Sequence, residues 1–335
     1  MKKLLSIVLA VVLVLSVVSL AGCGAKETLK FGLGVHAYSS GIASADADTN
    51  GKGEIVTTAA AVLLDKDGKI VKCAIDTMSN ELAFTSEGKF VVANEFKSKY
   101  EKGTDYGMVA YGGAKKEWFE QVDAFTALVV GKTLSEVKAL VADTNKGTDE
   151  VVKAGCTIII NDFVFALENA INAAAESNAT ADDSVKVALV SAQTGSKDAT
   201  ADAAGVNEVD TTVAAAAVNK DGKTTALLTD ALQGKISFDA KGVTEDVAGA
   251  ITTKLGAKEN YGMAQYGQDL NGDGTVKEWF EQADAFNAAC VGKTATEIKA
   301  LALDTGYGTD TLQSAGCTIN VADMVKAAVN ATTLG

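Results

Sequence analysis

Neither proline nor arginine occurs in the 335 residues, histidine occurs once, and aromatic residues make up only 6%. Without arginine all 30 basic side chains are lysines, so the planar fork that grips phosphate or carboxylate with two hydrogen bonds is missing from any site the chain builds. Without proline, chain reversals fall to Gly and Asp. The lone His36 supplies neither a Ser-His-Asp set nor zinc-ligand spacing, and no carboxylate pair is duplicated, so an acid–base enzyme is not supported. Five cysteines are too few and too unevenly placed for a shared disulfide framework, and isolated buried thiols are expected instead. Basic charge is also in deficit. The net charge of −13 describes a surface that repels nucleic acid and anionic headgroups.

What is present is duplication. Ala154-Gly155-Cys156-Thr157-Ile158 recurs as Ala315-Gly316-Cys317-Thr318-Ile319, and Lys116-Glu117-Trp118-Phe119-Glu120-Gln121 recurs at the same offset as Lys277 to Gln282. Only Cys156 and Cys317 are equivalent thiols across this repeat. With 47% hydrophobic residues, each copy is long enough to bury a core.

The first residues, Met1-Lys2-Lys3, precede an apolar run from Leu4 to Leu20 and the small residues Ala21-Gly22 before Cys23. A basic start, an apolar core and a small-residue junction describe a secretory signal, too short for a spanning helix and without a stop-transfer flank. Leu20-Ala21-Gly22-Cys23 resembles the lipobox of bacterial lipoproteins. That resemblance implies cleavage before Cys23 and lipid on its sulfur, holding the chain on the extracytoplasmic face of the cell membrane. The expected organisation is therefore a signal peptide at 1–22, a lipid-anchored tether at 23–28, a repeat domain at 29–177, a linker at 178–184 within the polar stretch Glu176–Ser184, and a second repeat domain at 185–335.

Within each copy the pattern reads as α+β, a small antiparallel sheet of about four strands packed against helices. Alternation over Leu29–Val35 and Val185–Val190 predicts opening strands. The Ser/Ala/Asp/Gly-rich stretches Ser39–Gly53 and Ser191–Gly205 are expected as surface loops. Apolar runs at Ile55–Leu64 and Val209–Val218 lead to Lys66-Asp67-Gly68-Lys69 and Lys220-Asp221-Gly222-Lys223. Asp-Gly between two such runs predicts hairpins, because both central positions can take positive φ. The returning strands are expected over Ile70–Thr77 and Thr224–Leu232, with Phe84 and Phe238 in a further short strand.

The second part of each copy is helical. Trp118, Val122, Phe125 and Val129 share a helical face, as do Trp279, Ala283, Phe286 and Cys290. Gly131-Lys132-Thr133 is not the end of a phosphate-binding loop, because Thr126 stands where the earlier glycine would be. Gly131 ends one helix, and Thr133 and Glu136 form a capping box that starts the next, as Gly292, Thr294 and Glu297 do in the second copy. Asp162 and Asp323 are placed to cap the closing helices.

A strand, a hairpin, helices and then a small-Gly-small-Thr element entering an Ala-rich terminal helix resemble the flavin mononucleotide (FMN) binding domain of bacterial lipoproteins and of membrane quinone and ferredoxin oxidoreductase subunits. The resemblance covers the order of elements over roughly residues 55–177 and 209–335, and the last short element carries the motif. It implies that a flavin transferase esterifies FMN to Thr157 and Thr318, beside Gly155 and Gly316, which permit close backbone approach. Ala154 and Ala315 replace the family's hydroxyl residue, Cys156 and Cys317 its small alanine, and the capping Asp comes later than usual.

Aromatic residues repeat near this element. Tyr106 and Tyr261 beside Gly107 and Gly262, Trp118 and Trp279, and Phe119 and Phe280 offer faces to an isoalloxazine ring, although core packing also accounts for the tryptophans. An insertion in the second copy, Asp269-Leu270-Asn271-Gly272-Asp273-Gly274-Thr275, resembles the start of a calcium loop, with Asp269, Asn271 and Asp273 as candidate ligands and Phe280 where the closing Glu should be. The expected function is a membrane-anchored FMN-binding electron carrier serving redox partners rather than a substrate-turnover enzyme. The alternative is a non-redox binding or scaffold lipoprotein that presents the two repeats to a partner, polymer or solute.

Overall fold

The structure is a computed structural model that describes residues 27–266 and 276–333. The first half runs β1 (Thr28–Ala43), β2 (Gly51–Leu64), β3 (Ile70–Phe84), α1 (Lys99–Lys102, continued by a 3-10 turn over Gly103–Tyr106), α2 (Trp118–Val129), α3 (Leu134–Lys138), α4 (Asp149–Ala154) and α5 (Asn161–Ala173). There follow β4 (Ala175–Thr180), β5 (Ser184–Gln193), β6 (Gly205–Val218), β7 (Thr224–Phe238), β8 (Gly249–Ala250), α6 (Lys254–Ala257, with a 3-10 turn over Lys258–Tyr261), α7 (Met263–Tyr266), α8 (Trp279–Cys290), α9 (Ala295–Lys299), α10 (Asp310–Ser314) and α11 (Ala322–Thr333). The class is α+β. The signal sequence, Cys23 and the calcium-like segment lie outside the described residues. Among the described residues no helix is long and apolar enough to cross a membrane.

Two antiparallel sheets carry the molecule, one ordered β3-β2-β1-β4 with β8 also pairing β1, the other β5-β6-β7. Each half therefore contributes three long strands rather than four short ones. Ile70–Phe84 and Thr224–Phe238 are single strands, so Phe84 and Phe238 belong to the returning strands themselves. The expected loops shorten because β1 continues to Ala43 and β5 to Gln193. Within Glu176–Ser184, residues up to Thr180 belong to β4, which pairs with β1 through Thr28↔Thr180, Lys30↔Glu176 and Phe31↔Ala175, and a turn then leads into β5 at Ser184.

Strand alternation explains the layering. In β2, Ala60, Val62 and Leu64 join Trp118, Phe125 and Leu167 in a core under the first half's helices. The intervening Ala59, Ala61 and Leu63 pack with Leu189, Val213 and Ala215 from the other sheet. Each sheet thus has helices on one face and the opposite sheet on the other. Burial on both faces is why β2 and β6 read as unbroken apolar runs. Runs of alanine are poor strand formers by themselves, but their small side chains let three layers close. Gly32 and Gly34 serve the same end on β1, because a Cβ there would stand 2.0 Å from Ala170 O and 2.2 Å from Ala166 O of α5.

Equivalent residues meet across the sheet interface. Phe84 stacks on Phe238 with ring centroids 4.5 Å apart and planes 5° from parallel. Gly51 and Gly205, opposite them in the register, each leave room for one of these rings. Such self-pairing is what a pseudo-two-fold axis through the interface requires. Beside it, Asn80 Nδ2 donates to Ser191 Oγ at 2.9 Å, and Ser191 and Thr211 hydroxyls lie 2.8 Å apart.

Local signals behaved as the residue types dictate, with two exceptions. In the β2–β3 hairpin Asp65 Oδ1 accepts from the N–H groups of Asp67 and Lys69, and only Gly68 takes positive φ, not both central residues. Asn219 and Gly222 repeat the arrangement in the second half. The boxes Thr133/Glu136 and Thr294/Glu297 form. Asp162, however, is not the cap of α5; Ile160 holds that position and Asp162 lies in the first turn. Asp323 likewise falls in the first turn of α11. The four described cysteines are free, and Cys156, Cys290 and Cys317 are buried.

A buried carboxylate ties the first short helix of each half to its sheet. Asp76 Oδ1 on β3 accepts from the N–H groups of Thr77 (2.7 Å) and Tyr100 (3.1 Å). Its equivalent, Asp230, accepts from Ala231 (2.7 Å) and Leu255 (3.0 Å). Burial pushes Asp76 up to about 7 and Asp230 up to about 6, against the hydrogen bonds that favour the charged form.

Two predictions follow from this packing. Phe84→Ala or Phe238→Ala should each cost about 3–5 kcal/mol in urea unfolding, and the double variant should differ from their sum by about 0.5–1.5 kcal/mol because the rings touch. A carboxyl whose folded pKa exceeds its unfolded value stabilises the fold fully below about pH 4 and loses that contribution as pH rises through its folded value. Asp76→Asn/Asp230→Asn should therefore gain on the parent in thermal stability as pH rises from 5 to 8; a constant difference would contradict it. The comparison with the parent matters because burial lowers the pKa of His36, which acts in the opposite sense.

Candidate functional site

The repeated Lys-Glu-Trp-Phe-Glu-Gln segment explains the site from the residues upward. Glu117 is 5% exposed, and its carboxylate accepts from the backbone N–H groups of Met108 (3.0 Å) and Val109 (3.1 Å), fixing the turn that follows Tyr106-Gly107. Trp118 is buried edge-to-face against Phe163 at 5.9 Å. Glu120 returns to the Glu117 N–H at 2.8 Å, completing a capping box at the head of α2. Gln121, 2% exposed, donates to Lys116 O, and its Oε1 accepts from both the N–H (2.8 Å) and the hydroxyl (2.9 Å) of Thr157. One short segment thus fixes the tyrosine turn, the head of α2 and the threonine element together.

The second half repeats the arrangement. Glu278 accepts from Met263 and Ala264 N–H groups at 2.9 and 3.1 Å. Gln282 Oε1 accepts from Thr318 N–H at 2.8 Å and from its hydroxyl at 3.1 Å. Glu117, Gln121, Glu278 and Gln282 were not singled out in the sequence, though identical buried polar residues in both copies were the available signal.

Thr157 is exposed and stands at a cleft of about 810 Å³ on the helix-covered face of the first sheet. Tyr38, Thr58 and Thr77 line it from the strands, Lys99, Lys102, Tyr106 and Met108 from α1 and the turn after it, and Trp118 from α2. Asn145, Lys146, Ile158 and Asp162 also line it, and so do Glu54 and Val56 from β2. Thr157, Tyr106 and Trp118, widely separated in sequence, line one cavity. The volume suits a cofactor-sized ligand.

Several expected roles change. Gly155 and Gly316 are in the left-handed region, φ +107° and +100°, where glycine is favoured. The space above them is taken by Lys116 and Lys277, whose Nζ atoms would lie 2.4 and 2.0 Å from an added Cβ. The close approach these glycines permit is therefore that of a lysine from the same half. Trp118 and Trp279 are core residues, 3% and 4% exposed. A face of each tyrosine is engaged by a lysine: Lys99 Nζ lies 5.3 Å from the Tyr106 centroid, and Lys254 Nζ lies 5.0 Å from that of Tyr261. Phe119 and Phe280 pack against the cores of their halves.

At one wall of the cleft Tyr38 donates to Asp162 Oδ2 at 2.9 Å, and His36 Nε2 lies 3.8 Å from Asp162 Oδ1. Burial, then the Asp162 charge, raises the Tyr38 hydroxyl well above its ordinary range, so it serves as a neutral donor. Burial lowers His36, with Asp162 opposing. The His36 ring packs on Phe165 at 4.8 Å, a structural placement. Among the described residues no group of three or more His, Cys, Asp or Glu is placed to hold a metal ion, and Asp269, Asn271 and Asp273 lie outside them.

No family model matches the chain, and no solved structure matches it. A stretch of 96 residues is 38% identical to a chlorophenol reductase of Desulfitobacterium hafniense, covering 25% of this chain and 29% of that protein. The chain is thus similar to that reductase over less than a third of the reductase's length.

Proposed function

We propose that the chain is an extracytoplasmic flavin-binding lipoprotein, cleaved at its signal sequence, anchored through lipid on Cys23, and built as a tandem repeat that carries electrons between redox partners. The observation that carries this reading is the cleft, which collects an exposed threonine hydroxyl, a tyrosine and three lysines in a chain of net charge −13. Those residues fit FMN: Lys99, Lys102 and Lys146 complement a phosphate without arginine, and Thr157 stands where an ester bond to that phosphate is sterically open. Bound flavin would supply the one- and two-electron chemistry. The chain's own residues would position it: Gln121 holds Thr157, and Tyr106 and Met108 line the wall. Similarity of one segment to a protein named as a reductase agrees with a redox setting.

Chain produced together with a flavin transferase should stay yellow after denaturation and carry the mass of FMN on the peptide containing Thr157. Thr157→Val should be colourless while keeping the parent's circular dichroism. Colourless, unmodified parent protein would overturn the reading and leave the scaffold alternative.

A further inference from the structure

The strand registers fix which residues of the two halves are equivalent. Tyr38 pairs with Val56 and His36 with Thr58 in the first sheet; Ala192 pairs with Asp210 and Val190 with Thr212 in the second. Backbone conformation extends the match, since Gly103 and Lys258 share an unusual φ near +50°, and Asn145 and Gly306 both take positive φ. The chemistry at these matched places has diverged.

Of the three lysines at the first cleft, only Lys99 has a basic counterpart, Lys254. Lys102 becomes Ala257 and Lys146 becomes Tyr307. Val56, apolar in the first cleft, becomes Asp210, whose Oδ2 accepts from Thr194 while its buried Oδ1 has no hydrogen-bond partner. Tyr38, whose hydroxyl donates to Asp162 in the first half, becomes Ala192. Glu54 and Asp162 are matched by Glu208 and Asp323, and Glu208 is held by Lys235 at 3.0 Å. Two of the three cations are lost and a carboxylate is gained, one of whose oxygens has no hydrogen-bond partner. A phosphate brought there would meet an added carboxylate with Lys254 alone of the three matched lysines to offset it.

We propose that the first cleft alone binds a phosphate-bearing ligand, one per chain, with Lys102 and Lys146 as its anion-holding residues, and that the second half has kept the fold while losing the site. The proposal rests on the flavin reading only for the identity of the ligand; the charge argument applies to any phosphomonoester of suitable size.

The full mature chain, made without transferase, is titrated with FMN, riboflavin and inorganic phosphate, following flavin fluorescence and heat. One FMN per chain is expected, with riboflavin at least about tenfold weaker. Inorganic phosphate should compete with FMN, which separates a phosphate site from one that reads the ring alone. Lys102→Ala/Lys146→Tyr, which gives the first cleft the second half's residues, should weaken FMN by about tenfold or more, whereas Lys254→Ala should leave it unchanged. All three lysines are at least partly exposed, so folding is expected to survive. Two FMN per chain would overturn the asymmetry while leaving the flavin reading intact. One FMN with unchanged affinity in the lysine variant, or lost in Lys254→Ala, would overturn the assignment of the site. Failure of every probe to bind would overturn both.

Discussion

The constraint on which the rest of the structure depends is the packing of two equivalent sheets face to face. Because each sheet spends one face on the other, its helices are confined to the remaining face, and so is any cleft between sheet and helices. Stacked sheets lie roughly 10 Å apart, so equivalent sites in the two halves would stand on opposite sides of a double layer. The rings of Phe84 and Phe238 mark the axis of this arrangement, and Asn80, Ser191 and Thr211 form a hydrogen-bonded patch within it. The two halves therefore pack as one body through their sheets. One half of such a body can lose its site and still be retained as the covering layer of the other.

Much of the fold was legible because its signals are local. An Asx residue and a glycine close each hairpin, Thr and Glu three residues apart start α3 and α9, and a glycine at positive φ follows α2 and α8. What escaped notice involved partners distant in sequence. Ala175–Thr180 is polar and unpatterned, and it becomes a strand only because β1, almost 150 residues earlier, presents an edge. Ser39–Ala43 reads as loop by composition, yet it extends β1 because Glu54 to Lys52 lie opposite. The opening strands alternate while β2 and β6 are apolar on both faces, but nothing in a strand's own residues says whether helix or sheet will cover a given face.

The site was legible to a similar extent. Thr157, Tyr106 and Trp118 do meet at one cavity, and the repeated six-residue segment is its frame. The roles within the frame were less visible. A buried glutamine that takes both hydrogen bonds of a threonine looks in sequence like any polar residue on a helix, and its partner is 36 residues away. Gly155 appeared to make room for a ligand, whereas its neighbour in space is Lys116. The divergence of the halves emerges only once the strand pairings and positive-φ positions have fixed equivalent positions, because an insertion shifts the numbering between copies.

The most direct measurement is a crystal structure of the full mature chain grown with FMN. The account predicts ligand density in the first cleft alone, with the phosphate between Lys102 and Lys146 and beside Thr157. Density in both halves, or a first cleft that stays empty while the second is filled, would contradict it.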